Sequence, residues 1–167
     1  MELNPYASFL NGQDPIPVLT TTAERLQILT AGLTGAQVNT PPAPRKWSIC
    51  NIVSHLADSE IVFSFRLRQT LAPALDQPHA IIQPFDQERW AGMYGGLGAR
   101  SALNAFSALR EWNLALIGST PAEAMSKPVT HPERGEMTFR VIIDTMAGHD
   151  LNHLSQLDRI VAGFAPA

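Results

Sequence analysis

Residues 138–163 read TFRVIIDTMAGHDLNHLSQLDRIVAG and have the pattern of one long amphipathic helix. Thr138 is a typical N-cap residue, and Gly163 is a typical helix stop before Pro166. The apolar residues between them recur every three or four positions, which is the spacing of a buried helix face. His149 and His153 are in register with those apolar residues. The stretch therefore predicts a helix that carries two imidazoles on its core-facing stripe.

Three further helices are predicted upstream, each from a cap or stop residue and a helical repeat of apolar residues. The first begins after Asp14 and ends at Gly32 or Gly35, the second begins after Ser48 and ends before Pro73, and the third begins near Ser101 and ends at Gly118. No alternating strand pattern and no internal repeat is present. The four helices predict an all-α fold, an antiparallel four-helix bundle.

Two long connections, residues 73–100 and 120–137, separate the later helices. Prolines and glycines interrupt both, and one short helix is predicted inside the first, at Phe85–Trp90. Simple bundles join their helices with short loops, so long connections over one end of a bundle indicate a covered site.

The composition narrows the class of protein. The chain has 167 residues, of which 45% are hydrophobic and 16% charged, as expected for a single globular domain over residues 1–167. The net charge of −3 and the scattered basic residues predict no nucleic-acid partner and no anionic membrane surface. Cys50 is the one cysteine, which excludes an internal disulfide. With no basic and apolar leader at the N-terminus, we expect a cytoplasmic protein that acts on a small molecule.

The two histidines of the last helix are candidate metal ligands. Residues four apart on a helix project from the same face, so His149 and His153 can bind one ion together. His55, on the apolar face of the second helix, could complete a triad. The alternative is that these are packed core histidines hydrogen-bonded to backbone carbonyls. The Glu-x-x-His pairs of di-iron bundles are absent, and Asp150 stands where the zinc-protease helix has its catalytic Glu.

A series of short motifs in this chain resembles the DinB/YfiT-like superfamily, in order and spacing along nearly the whole chain. The motifs are Trp47-Ser48-Ile49, His55-Leu-Ala-Asp58-Ser-Glu60 with Arg66, the Asp86–Trp90 segment, Arg110, His131-Pro-Glu-Arg-Gly135, and His149-Asp150-x-x-His153-x-x-Gln156. The resemblance implies a four-helix bundle with a divalent-metal site made by one histidine from the second helix and two from the fourth. In this chain those ligands are His55, His149 and His153.

The resemblance also implies cofactors and an assembly. Zinc and nickel are the metals known in the family. Its characterised members include S-transferases that use low-molecular-weight thiols, and mycothiol-dependent isomerases, and related bundles often dimerise through helix faces. We therefore expect zinc or nickel, with a low-molecular-weight thiol and a homodimer as further candidates.

Three neutral imidazoles would leave at least one coordination position open, as in catalytic rather than closed structural sites. An ion held in this way lowers the pKa of a water or a thiol toward neutrality. Because histidine binds metal only when deprotonated, we expect metal affinity to fall as the pH drops through the ordinary histidine range.

Two carboxylates are candidates for orienting the ligands. Asp58 follows His55 by three residues, and Asp150 directly follows His149. Either could accept a hydrogen bond from a ligand imidazole. The alternative for both is a solvated helix carboxylate.

Other polar and aromatic residues are candidates for the pocket. Arg110, on the third helix, could hold a carboxylate or a thiol cofactor, or form an ordinary surface ion pair. His131 could act as an acid or base above the site, or belong to a structural turn. Trp90 and Tyr94 could line the pocket mouth, with simple packing as the alternative.

The leading hypothesis is a metal-dependent enzyme, of thiol S-transferase or hydrolase type, whose three histidines hold an ion that activates a thiol or water. The alternatives are a non-catalytic metal-binding or stress-associated bundle, and a bundle whose histidines are only packed. An open position facing a pocket favours the enzyme, and a sealed site favours the structural role. Mutual hydrogen bonds among the histidines favour simple packing.

Overall fold

The computed structural model describes residues 3–93 and 97–164. Within these ranges the elements in chain order are α1 (Ala7–Leu10), α2 (Pro15–Thr30), α3 (Gly35–Asn39), α4 (Ile49–Leu71), β1 (Ala80–Ile81), α5 (Gln87–Met93), α6 (Ala99–Ser119), a 3₁₀ helix (Ala122–Ser126), β2 (Pro128–His131), β3 (Gly135–Thr138) and α7 (Phe139–Ala162). Among the helices of the described ranges, none combines the length and the apolar character that a membrane span requires.

The long helices begin at the predicted cap residues. The side chains of Asp14, Ser48 and Thr138 each accept a hydrogen bond from a backbone N–H in the first turn of α2, α4 and α7. The short helix α5 starts two residues later than predicted, because Asp86 acts as its cap and accepts a hydrogen bond from the Arg89 N–H at 3.1 Å.

The prediction of a four-helix bundle with two long connections is confirmed. Each of α2 and α4 packs against both α6 and α7. Helix α4 runs antiparallel to α7, since the start of α4 packs near the end of α7, whereas Leu67 in the last turns of α4 packs with Ile142 near the start of α7. Within the antiparallel bundle, α4 and α6 form a parallel pair. Glu60 contacts Arg110, and further along both helices Arg68 donates a hydrogen bond to Asn113 at 2.8 Å.

This arrangement explains the first long connection. Two consecutive helices that run in the same direction cannot be joined by a tight turn, so the chain between α4 and α6 must return along the bundle. Residues 72–98 make that return and carry β1 and α5 on the way.

The all-α fold is accompanied by three short strands for which the sequence shows no pattern. A small sheet of order β1-β2-β3 ties the two long connections together, with β1 parallel to β2 and β2 antiparallel to β3. The strands have two to four residues, too few for a period-two pattern to be recognised. Gly135, at a φ of +86°, completes the turn between β2 and β3.

The core consists of two apolar clusters with a polar layer between them. One cluster is built around Leu19, Leu67 and Ile143, and the other around Leu26, Ile52 and Leu157. Along each long helix, buried polar residues lie between the two clusters: Thr22 on α2, His55 and Glu60 on α4, Arg110 and Asn113 on α6, and His149, Asp150 and His153 on α7. Burying so many polar groups is costly unless they are paired or bind a ligand, so this layer is where function is to be sought.

Candidate metal centre

Three histidines converge in the polar layer. One ring nitrogen from each of His55, His149 and His153 lies within 4.8 Å of one from each of the others. The residues are 2%, 3% and 6% exposed, so the bundle buries most of the surface of the cluster. The structure brings together the three residues that the sequence analysis names as ligands, and their binding of a metal remains a prediction.

Two antiparallel helices position the rings. His149 and His153 lie one turn apart on α7, and their ring centroids are 4.5 Å apart. His55 faces them from α4, with its centroid 5.0 Å from that of His149 and 4.8 Å from that of His153. The three rings therefore form a triangle with nearly equal sides.

The short helix α1 packs closely against the cluster because residue 148 is glycine. A Cβ atom on Gly148 would lie 2.8 Å from the Cβ of Tyr6, which is closer than real contacts allow. The Tyr6 ring meets His149 edge-on at 5.1 Å between centroids. Tyr6 is not predicted from the sequence, although a glycine inside a predicted helix and next to a candidate ligand is a signal of close approach.

Aromatic rings pack around the imidazoles on other sides. Trp47 lies nearly parallel to the His153 ring, 6.4 Å away between centroids, and 4.9 Å from His55. Phe63 meets His149 edge-on at 5.9 Å. Neither ring is predicted from the sequence to contact the site, since an aromatic residue near a helix start or on an apolar face usually packs in the core. These rings pack against the imidazoles and restrict their orientation.

The environment keeps all three imidazoles neutral. Burial, followed by the neighbouring His153, lowers the pKa of His55 to about 3. Burial lowers the pKa of His153 to about 4. The pKa of His149 is lowered well below its ordinary value by burial and then by the other two histidines and Arg110. Each ring therefore keeps a lone pair available at neutral pH, as a metal ligand must.

A cavity of about 350 Å³ opens on the cluster. His55 and His149 line it from the bundle, together with Ser59, whose Oγ lies 3.4 Å from Nε2 of His55. Phe85 and His131 line it from the two long connections. The long connections thus cover a cavity beside the histidines, the arrangement that their length predicts.

The donor set fits a divalent transition metal. Three imidazoles with no competing thiolate suit zinc or nickel among other ions. Within the described ranges, Nδ1 of His153 is buried without a hydrogen-bond partner. Leaving a buried polar atom unpaired is costly, and a ligand bound at the cluster could supply its partner. The ligating group found in the described residues has three members, which leaves room for an additional ligand from the cavity side.

The other candidate pocket residues differ in their burial and in whether they line the cavity. His131 is buried at the end of β2, lines the cavity, and accepts a hydrogen bond at Nδ1 from the Glu133 N–H. Asp58 is half-buried, and its burial raises the pKa of its carboxyl. Trp90 packs edge-on against Phe85, which lines the cavity. Tyr94 lies outside the described residues.

Arg110 and Asp150 belong to a buried ion network. Nη2 of Arg110 lies 2.8 Å from Oε2 of Glu60, and Nη1 lies 2.6 Å from Oδ2 of Asp150. Asn113 donates a hydrogen bond to Oε1 of Glu60 at 2.9 Å. Burial alone would lower the pKa of Arg110, but the carboxylates of Asp150 and Glu60 outweigh it and raise that pKa above its ordinary value.

This network corrects two interpretations from the sequence. Asp150 accepts from Arg110 with both carboxylate oxygens rather than from His149, since consecutive helix residues point about 100° apart. Arg110 forms a buried ion triad rather than a surface ion pair, and its hydrogen-bonding groups are engaged by protein partners. Glu60, to which the sequence analysis gave no role, is the second anion. An arginine on an otherwise apolar helix was the signal for a buried counter-ion.

The lowered histidine pKa values predict how stability depends on pH. In the unfolded chain a histidine takes up its proton near pH 6.5, whereas in the fold His153 and His55 do so only near pH 4 and 3. The unfolded state therefore binds more protons as the pH falls from 7 to 5, and the free energy of unfolding decreases. We expect a slope of up to about 1.4 kcal/mol per pH unit for each histidine. Urea unfolding of chelator-treated protein at several pH values measures it, and equal stability at pH 7 and pH 5 would contradict the assignment.

The same values change the expected pH dependence of metal binding. Protons compete with a metal only near the pKa that a ligand has in the fold. Because those pKa values lie near 4 and below, metal affinity of the folded chain should change little between pH 8 and pH 5. The sequence predicts that metal affinity decreases through the ordinary histidine range, and the structure predicts that this decrease occurs at lower pH.

Known proteins are similar to this chain in sequence and in fold. A protein of Oceanobacillus iheyensis named "putative metal-dependent hydrolase" is 26% identical over 126 residues, which cover 75% of this chain and 71% of that protein. A Bacillus cereus protein of the same name is 27% identical over 122 residues, covering 72% and 68%. The structure described as "YfiT from Bacillus subtilis is a probable metal-dependent hydrolase with an unusual four-helix bundle topology" matches with a TM-score of 0.78 and 21% identity, over 90% of this chain and 87% of that one.

A family model extends this similarity over most of the chain. The model of the DinB superfamily matches residues 19–157, a range that contains all three histidines and all four long helices except their outer ends. The chain therefore belongs to the DinB superfamily.

Proposed function

We propose that this protein is a metal-dependent enzyme in which His55, His149 and His153 hold one divalent ion, zinc or nickel, beside a cavity for a small-molecule substrate. The observation that carries the proposal is the cavity of about 350 Å³, which reaches His55 and His149 although both are buried. A purely structural site would be sealed by protein ligands, whereas this cluster has an accessible side.

The chemistry follows from the donor set. An ion held by three neutral imidazoles supplies a water or a thiol that is nucleophilic near neutral pH. The imidazoles stay neutral because they are buried, while Tyr6, Trp47 and Phe63 pack against them and restrict their orientation. His131, neutral because burial and nearby arginines lower its pKa, lines the same cavity. Because its Nδ1 accepts a hydrogen bond from the Glu133 N–H, its Nε2 carries the proton and can donate it toward a substrate.

Two reaction types use this chemistry. Hydrolysis, with water as the nucleophile, is supported by the names of the relatives in Oceanobacillus iheyensis and Bacillus cereus. Transfer to a low-molecular-weight thiol is supported by the family resemblance of the motifs around His55 and His149. In both reactions the nucleophile attacks a small electrophile. The cavity has the size of a site for one small substrate.

One observation favours the alternative in which the histidines are only packed. Nε2 of His55 and Nε2 of His149 lie 2.9 Å apart, a hydrogen-bonding distance when one of them carries a proton. A packed set would satisfy all its members, yet Nδ1 of His153 has no partner among the described residues. Metal binding is the experiment that separates the two proposals.

The test is the metal content and the metal-dependent activity of the same preparation. Protein purified without chelator and without a polyhistidine tag should contain about one equivalent of zinc or nickel, as expected for one three-imidazole site. Removing the metal should abolish hydrolysis of an activated ester or conjugation of a thiol with an electrophile, and adding it back should restore the reaction. Protein that neither contains metal nor takes up zinc or nickel would contradict the proposal. Metal bound without either reaction would favour the non-catalytic bundle.

A further inference from the structure

Two arginines face the same cavity as the histidines and have no role in the proposed chemistry. Arg66 comes from α4, and Arg134 comes from the turn between β2 and β3. Both are half-buried, and both line the cavity that reaches His55 and His149. One helix of the bundle and one long connection thus bring two positive charges together next to the candidate metal centre.

The two guanidinium groups lie close enough to affect each other. Burial, and then the positive charge of Arg134, lower the pKa of Arg66 to about 10. Both arginines also help to lower the pKa of His131, which lies in the same lining. At neutral pH the arginines are charged and His131 is not, so this part of the cavity carries two positive charges.

The charges are not balanced by nearby carboxylates. Within residues 3–93 and 97–164, the ion pairs closer than 4.0 Å involve other arginines. Arg66 donates from Nη2 to the carbonyl of Gln83 at 2.7 Å, but its Nε is buried and has no partner among these residues. A partly buried guanidinium without a counter-ion is unfavourable, and an anion with two oxygens is its natural partner.

The acidic residues that line the cavity do not neutralise the positive charges of the two arginines. Asp86 and Glu133 are exposed, so water and salt screen them. Asp86 is also engaged as the cap of α5. The two arginines are more buried than the two carboxylates, so their charges are screened less by solvent.

We propose that Arg66 and Arg134 bind an anionic group of the substrate, a carboxylate or a phosphate, and hold its reacting atom toward His55 and His149. The statement about the reacting atom rests on the proposed function, whereas the binding of the anion does not. Substrates that lack the negative charge would leave two guanidinium groups unpaired in the complex and would bind weakly.

The test compares three small probes of similar shape: benzoate, phenyl phosphate and the neutral benzamide. Their dissociation constants are measured by isothermal titration calorimetry on the full chain, both with its metal and after chelation. The variants are Arg66→Gln and Arg134→Gln, and the matched control is Arg100→Gln, which removes an exposed arginine of α6 outside the cavity lining. Arg134 lies in a turn, so its variant tests the proposal even if Arg66→Gln perturbs the fold.

We expect at least one of the two anions to bind more tightly than benzamide, and each cavity variant to weaken that binding about tenfold or more. Arg100→Gln should leave it unchanged, and Arg66→Lys should restore only part of it because lysine lacks the bidentate geometry. The relative affinity of benzoate and phenyl phosphate identifies which anion the site prefers. Anions that bind no better than benzamide, or that bind equally well to all three glutamine variants, would overturn the inference.

The metal-free arm separates this inference from the proposed function. If anion binding is lost on chelation and does not change when either arginine is replaced, the anion binds to the metal ion itself. That result would overturn the inference but support the metal centre. Anion binding that depends on the arginines in a protein that never takes up metal would support the inference and contradict the proposed function.

Discussion

Replacing Arg110 with Met should lower the free energy of unfolding by about 3–5 kcal/mol, a large share of the total stability of a domain of this size. Arg110 lies between Glu60 and Asp150, and each of the three residues is at most 2% exposed. Methionine fills a similar volume but removes the one cation of the triad, so two carboxylates would remain buried without a counter-ion. Urea unfolding followed by circular dichroism measures the change.

Arg25→Met is the matched control, because it makes the same substitution in a solvent-exposed ion pair. The side chains of Arg25 and Asp158 are 44% and 48% exposed, and such pairs contribute between about 0 and 1 kcal/mol. Adding Glu60→Gln and Asp150→Asn to Arg110→Met should recover part of the loss, since both uncompensated charges are removed. Equal stability of Arg110→Met and Arg25→Met would show that the buried triad does not stabilise the fold.

The helices and the pair His149 and His153 could be predicted from local pattern, and the family resemblance implied His55 as the third ligand. The pairing of the other polar residues could not be predicted. Caps such as Ser48 and Thr138 and the spacing of His149 and His153 are properties of neighbouring residues, so they can be read along the chain. The contact of Arg110 with Glu60 and Asp150 depends on how three helices are rotated against each other. The few charged residues of the chain form no sequence pattern that predicts this rotation.

The length of the connections predicted a covered site, but the residues that line the cavity were beyond sequence reasoning for a different reason. Part of its wall comes from the two long connections, whose path is set by strands of two to four residues and by the parallel direction of α4 and α6. The role of Arg66 was missed because its partner in the cavity, Arg134, lies 68 positions away in the chain and on another element. The motif that contains Arg134 marked a turn, and only the fold places that turn over His149.

Replacing His149 with Ala should weaken metal binding by about a hundredfold or more, because loss of residues that merely orient a ligand already costs 10–100-fold. His149 shares the closest contact of the cluster, 2.9 Å between its Nε2 and Nε2 of His55, and it also lines the cavity. Without it two imidazoles remain, too few to retain an ion against a competing chelator. Activity that depends on the metal should be lost at the same time.

The measurement is a competition titration with a chromogenic chelator, carried out with zinc and with nickel. His79→Ala is the matched control, because His79 makes its hydrogen bond to Thr130 at 2.8 Å and does not belong to the cluster. It should bind metal like the unmodified chain. His153→Ala, on the same helix, should lose affinity like His149→Ala, and circular dichroism confirms that each variant is folded. If folded His149→Ala and His153→Ala both retained the original affinity, the ion would lie elsewhere, and the three histidines would be packed core residues that need no metal to explain their burial.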